Sequence, residues 1–190
     1  MFLREEFVGI VLVFRTKRFP FLVAAKLFKR IVRFFRILRL LRAIFTETAE
    51  QEKEHAKRMF KYLEGGMVEI TAKFPAGVIG TTMENLHAAA AGEHEEWVDD
   101  YPKFADIAEA EGFPAIAAMY RNIALAEKGH EERYLSFLKN IEEGTVFKKD
   151  GKVFWQCRNC GFIIEAEEAP KACPACLHPQ SYFEVQKENF

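Results

Sequence analysis

The chain is predicted to be mainly α: a four-helix bundle with an atypical first helix, followed by a small β metal-binding module. Three observations predict it. Two Glu-x-x-His units, Glu52 with His55 and Glu127 with His130, each sit in the middle of an apolar stripe with helical spacing. All four cysteines lie near the C-terminus, as Cys157-x-x-Cys160 and Cys173-x-x-Cys176. At 190 residues, 49% of them hydrophobic, the chain has material for one helical core and one appended module.

Taken in order, residues 1–42 form an atypical basic hydrophobic segment in place of the first bundle helix. Residues 1–46 hold eleven Lys/Arg against two acids, whereas the rest holds sixteen against twenty-six, so the two parts carry opposite net charge. Arg30, Arg33, Arg36, Arg39 and Arg42 recur every third residue, and on an α-helix each steps about 60° back from the last, so the charges spiral and form no face. Three readings follow: a first helix translated out of frame, which we favour, a cationic membrane-surface segment, and a variant first helix packing by its Phe and Leu groups. The arginines are too dense for the segment to span a bilayer, so membrane contact is not expected. No small-residue cleavage site follows the Val-Leu-Val run, so no signal peptide is expected.

Residues 43–146 are expected to form the bundle. The spacing predicts a helix over 43–64, with Leu41, Phe45, Thr48, Glu52, His55, Met59 and Tyr62 on its inner stripe and Gly65-Gly66 stopping it. A long connection to about Thr82, with Pro75, Gly77 and Gly80, supplies the crossover that a bundle with parallel second and third helices needs. The next helix is expected over Met83–Asp99, ending before Pro102, with Met83, Leu86, Ala90, Glu93 and Trp97 inward and Glu96 one turn beyond Glu93. A short helical piece near Lys103–Glu111 and a break at Gly112-Phe113-Pro114 follow. A long helix then runs to about Glu142, with Ile116, Tyr120, Ile123, Glu127, His130, Tyr134 and Phe137 on one face. Gly144 and the polar run 148–151 read as the hinge to a module at 147–190, where Val153-Phe154-Trp155 and residues 181–185 read as strands flanking the cysteines.

Four Glu and two His gathered in one core cannot all bury their charge unaided, and divalent cations satisfy them. Mixed carboxylate and imidazole ligands suit iron or manganese, and zinc less specifically. Di-iron carboxylate bundles take a Glu from each of two helices and a Glu-x-x-His from each of the other two. One such unit in a Glu-rich helix is more often a solvated pair, but two copies on buried stripes point to ligation. His94, His87 and His178 read as surface or packing residues. The paired cysteines read as a tetrathiolate metal site, for which zinc is one candidate, with a disulfide as the bland alternative. Reduced thiolates also point to an intracellular compartment.

From residue 43 onward the chain resembles the rubrerythrin family. The resemblance rests on ETAEQEKEHAKR at 47–58, FPAGVIGTT at 74–82, AGEHEEW at 91–97 and AEKGHEERY at 126–134. The rubredoxin-like CRNCGF and CPAC stretches add to it. It implies a ferritin-like di-iron bundle followed by a rubredoxin-like domain. Glu52, Glu93 and Glu127 match the family's di-iron carboxylates, His55 and His130 its imidazole ligands, and Glu96 the carboxylate whose binding depends on oxidation state. Cys157, Cys160, Cys173 and Cys176 match its rubredoxin iron ligands. The resemblance implies a peroxidase that reduces hydrogen peroxide to water, fed by a reductase or rubredoxin, acting as a cytoplasmic homodimer without nucleic acid. Phe7-Val8-Gly9 resembles the start of the family's first helix, but Ile10 stands where its ligand Glu belongs. That departure predicts an activity in doubt, and as the alternative a non-catalytic iron-binding or electron-transfer protein with an impaired di-iron site.

Overall fold

The computed structural model describes residues 21–67, 69, 71 and 77–187, with side chains at residue 37 and from residue 39 on. Expectations placed on residues 1–20, Phe7-Val8-Gly9 and Ile10 among them, lie outside the described residues, as do positions 74–76 of the crossover.

Helix α1 runs from Phe21 to Phe60 and passes unbroken through the expected junction at 42/43. No Gly or Pro occurs between residues 21 and 60, so nothing in the backbone stops the helix there. Residues 21–42 are therefore the N-terminal half of the helix that carries Glu52, and not a separate first helix. Their last turn packs inward: Leu40, Leu41 and Ile44 are all buried. The helix ends four residues before the expected Glu64 in tight turns, with Tyr62 N–H donating to Met59 O at 3.1 Å and Leu63 N–H to Phe60 O at 3.2 Å. Gly65 follows at φ +92°, a conformation that side chains disfavour.

Helix α2, Thr82–Glu95, opens on a capping box in which Thr81 N–H donates to Glu84 Oε2 at 2.7 Å and Glu84 N–H to Thr81 Oγ1 at 3.3 Å. The predicted stop before Pro102 does not occur. A π-turn over Glu96–Asp100 joins α2 directly to α3, Tyr101–Ala110. Pro102 has no N–H and its ring crowds the carbonyl four residues earlier; the wider turn absorbs both defects. Gly112, at φ +85°, closes α3 with Phe113 N–H donating to Ala108 O at 2.8 Å. Helix α4, Pro114–Glu143, starts on proline and ends on left-handed Gly144.

Leu40, Leu41 and Ile44 of α1, Leu86 and Ala90 of α2, and Tyr134 and Leu138 of α4 form one core. Ala105, Ala108 and Ala117 seat α3 on α4. The C-terminal module is an antiparallel sheet of order β2-β1-β3, built from β1 (Lys148–Cys157), β2 (Ile163–Glu168) and β3 (Phe183–Val185). The polar run expected as a hinge is the irregular start of β1, and β2 had no counterpart among the expected strands. Trp155 and Phe183 are fully buried in the module's core. Phe147 packs against both cores, which joins the module to the bundle. Arg39 reaches across as well, donating to the Tyr182 hydroxyl at 2.7 Å with its guanidinium 4.9 Å above that ring.

Candidate metal centres

The expected inner stripes converge. Glu52 from α1, Glu93 from α2, and Glu127 and His130 from α4 each place a donor atom within 4.8 Å of the others. His55 joins them, its Nδ1 lying 2.9 Å from Glu127 Oε1 and 3.3 Å from Glu52 Oε2. Glu127 is fully buried and stands between the two imidazoles: Oε1 faces His55, and Oε2 lies 2.8 Å from His130 Nδ1. A carboxylate in that position can bridge two cations, each with its own histidine.

His130 Nδ1 is surrounded by acceptors, at 2.8 Å from Glu127, 3.0 Å from Glu52 and 3.5 Å from Glu93. Its other ring nitrogen lies 3.1 Å from Gln51 Oε1, an atom that can only accept, so the ring proton belongs on Nε2. That leaves the Nδ1 lone pair aimed at carboxyl oxygens, an arrangement that either a cation in the middle or a proton on one of those carboxyls satisfies. Burial also lowers the His130 pKa, which keeps the ring neutral and able to ligate. Glu52 Oε1, both Glu127 oxygens and His130 Nδ1 are buried without a hydrogen-bond partner. Burial, and then the charge of Glu52, push the Glu93 carboxyl up to about 8 and that of Glu127 up to about 9. The donor set therefore fits divalent iron, which takes mixed nitrogen and oxygen ligands and replaces those protons.

Glu96 lies outside the four-residue cluster, at the start of the π-turn. Burial and the Glu52 charge raise its pKa, while hydrogen bonding to Tyr101 opposes the rise. Tyr101 and Gln51 carried no sequence signal, because neither lies on a predicted inner stripe. Glu131 was missed too: it accepts from Trp97 Nε1 at 2.5 Å and lies 3.0 Å from His94 Nδ1, fastening the π-turn to α4 beside His130. His94 and His87 are exposed, as the sequence predicts, and His178 packs edge-on against Tyr182.

The four cysteine sulfurs also lie within 4.8 Å of one another, on the turn after β1 and the turn before β3. Cys157 and Cys176 are 3.8 Å apart and Cys160 and Cys173 3.6 Å, far beyond the roughly 2.05 Å of a disulfide, so the disulfide alternative fails. The His178 backbone N–H pulls the Cys176 thiol down to about 6, which favours the thiolate that ligation needs.

The expectation that a missing first-helix carboxylate impairs the site is not borne out. Among the described residues, three carboxylates and a histidine already assemble from α1, α2 and α4, with His55 against them. Fold and site together define a ferritin-like carboxylate–histidine metalloprotein with a rubredoxin-like tetrathiolate domain. The rubrerythrin family model matches residues 24–138, beginning upstream of the resemblance at 43, and the model of the rubrerythrin rubredoxin-like domain matches residues 155–184. Rubrerythrin of Porphyromonas gingivalis is 63% identical over 147 residues, 77% of this chain and 74% of that protein. Rubrerythrin of Nitratidesulfovibrio vulgaris is 55% identical over 147 residues, 77% of each. A solved mixed-valence state of nigerythrin matches at 29% identity over 83% of this chain and 73% of that one, with a TM-score of 0.45. The chain belongs to the rubrerythrin family. Its domains are those that hold a di-iron centre and a rubredoxin-type iron.

Proposed function

We propose that the chain is a non-haem iron peroxidase that reduces hydrogen peroxide to water. The observation that carries this reading is Glu127, whose two buried oxygens each face a histidine nitrogen and so suit a carboxylate shared by two irons. Glu52, Glu93, Glu127, His55 and His130 would hold the iron pair, and Cys157, Cys160, Cys173 and Cys176 the rubredoxin-type iron. When bound, the pair supplies two electrons at one place, and the tetrathiolate iron replenishes them singly.

The chain's own residues do the rest. Gln51 fixes the tautomer of His130, and Glu131, tied to Trp97, holds the π-turn that carries Glu96. Glu96, on the π-turn with its carboxyl hydrogen-bonded to Tyr101, would be the further carboxylate that joins the pair as its oxidation state changes. We further infer that electrons arrive from a reductase or rubredoxin and that the protein works as a cytoplasmic homodimer. No helix among the described residues is long and apolar enough to cross a membrane.

Anaerobic reduction of the iron-loaded chain followed by rapid mixing with hydrogen peroxide tests the proposal. Oxidation of the bundle iron ahead of the tetrathiolate iron is expected. A bundle that binds no iron, or a reduced pair indifferent to peroxide, would overturn it.

A further inference from the structure

Between α1 and α4, directly beside the carboxylate cluster, lies a cavity of 360 Å³ lined by His55, Arg58 and one face of α4 that includes Ala118, Met119, Asn122 and Ile123. Met119 and Ile123 are buried and give it an apolar floor; His55 and Arg58 supply polar groups along the α1 wall. The space is an open groove, since Arg58, Ala118 and Asn122 on its walls are exposed, and because a water takes up only about 30 Å³, hydrogen peroxide fills a small part of it. The volume falls in the range of pockets that hold organic ligands, roughly 300–1,000 Å³.

Two features make the cavity a built one. His55 belongs to both places, since it lines the cavity while its Nδ1 lies 2.9 Å from Glu127 Oε1. Arg58 is fixed in position: its Nη2 donates to the Tyr62 hydroxyl at 2.9 Å and its guanidinium lies 5.0 Å over the same ring. That hydroxyl in turn donates to Ala115 O at 3.3 Å, which ties the end of α1 to the start of α4 and holds the two walls apart. The result is an apolar bed with a histidine shared with the iron ligands at one wall and a held cation beside it. A ligand with an apolar body and one polar, reducible end matches this chemistry.

We propose that the cavity admits compact alkyl and aryl hydroperoxides, so that the chain reduces organic hydroperoxides as well as hydrogen peroxide. The inference rests on the peroxidase reading above. In the reaction the O–O bond breaks, and two electrons from the reduced iron pair with two protons convert ROOH to ROH and water. The alkyl or aryl group rests on Met119 and Ile123, and the peroxide end points toward His55.

The test compares cumene hydroperoxide with hydrogen peroxide on the reduced, iron-loaded chain, for the wild type and for Ala118→Phe. Ala118 is exposed on the wall of the groove, so the larger side chain fills the cavity without entering a core. Both oxidants are expected to oxidise the wild-type centre, and the variant lowers the ratio of cumene hydroperoxide rate to hydrogen peroxide rate by about tenfold, the usual scale for steric discrimination in an apolar pocket. A second readout needs no turnover: 2-phenyl-2-propanol, the redox-inert product, is titrated into the zinc-loaded chain. It shifts the Met119 and Ile123 methyl resonances in the wild type and leaves them in place in the variant. Hydrogen peroxide that oxidises the centre while cumene hydroperoxide does not, or a rate ratio indifferent to Ala118→Phe, overturns the proposal and leaves the peroxidase reading standing. Failure of hydrogen peroxide itself sinks that reading and this one with it.

Discussion

The helical cluster and the cysteine module both gather metal ligands, but they do so over different lengths of chain and at different cost. Nineteen positions separate Cys157 from Cys176, and two tight turns bring them together. In the bundle, 79 positions separate Gln51 from His130, and α1 must pack on α4 before those side chains meet. The chemistry differs as well. A protonated thiol behaves as a small apolar group, so Cys157 and Cys173 are buried at little cost whether or not a cation is bound. Glu93 and Glu127 must instead hold on to protons, and their carboxyls are pushed up to about 8 and about 9. The cysteine module is thus built by local chain geometry, whereas the helical cluster stores unfavourable electrostatics that a metal relieves.

The sharpest way to break the comparison is Cys173→Ala. It should abolish the visible absorbance of the oxidised tetrathiolate iron and loosen the module, because a structural metal contributes directly to folding. The bundle should keep its iron, so that metal analysis falls from about three per chain to about two. If bundle iron is lost in parallel, the two sites are not independent.

Glu127→Gln should separate metal affinity from stability. The amide keeps the volume and removes a buried acid, so the metal-free chain is expected to melt no lower than the parent. Its bundle affinity for ferrous iron should nevertheless fall by at least about tenfold, measured by competition with a chelator.

The pH dependence should distinguish the sites in the same way. The folded-state pKa values of Glu93 and Glu127 lie above the ordinary 4.5, so between about pH 5 and 9 these two carboxyls bind more protons in the folded, metal-free chain than in the unfolded one. Their contribution to stability is fully present below that window and is lost as pH rises through it, while the depressed His130 acts in the opposite sense below its ordinary 6.5. Thermal melts from pH 5 to 9 should show this fall without metal and a flatter profile with iron bound. A melting temperature of the metal-free chain that rises between about pH 7 and 9 would contradict the cluster's electrostatics.

Two smaller effects concern the scaffold. Thr81→Ala removes the capping box of α2 and should cost about 1 kcal/mol, a shift of a few degrees in Tm. Arg39→Ala removes the hydrogen bond and the stacking on Tyr182, with an expected cost of about 0.5–1 kcal/mol because the contact is exposed. Its signature is greater mobility of the module relative to the bundle in NMR relaxation, with the sheet itself intact.

The inner stripes on α2 and α4, both Glu-x-x-His units and the cysteine pairs were legible because each is a local repeat, of period 3.6 or of fixed x-x spacing. The π-turn was not, because Pro102 reads locally as a helix stop and only packing against α4 keeps the chain helical through it. Strand β2 was hidden because its residues, Ile163 to Glu168, gain strand character from pairing with β1. The basic segment misled for a related reason. Its arginine spacing forms no face, yet Leu40 and Leu41 bury their side chains while Arg39 turns outward to the module.

By itself the sequence determined which residue types could hold metal and where each lay along a helix or turn, since side-chain chemistry and local periodicity are properties of short stretches. Tertiary structure decided that Glu127 stands between His55 and His130, that Gln51 and Glu131 fix their neighbours, and that α1 and α4 leave a cavity beside His55. Those are relations between segments distant in the chain, set by how helices pack and by the burial that gives each charge its cost.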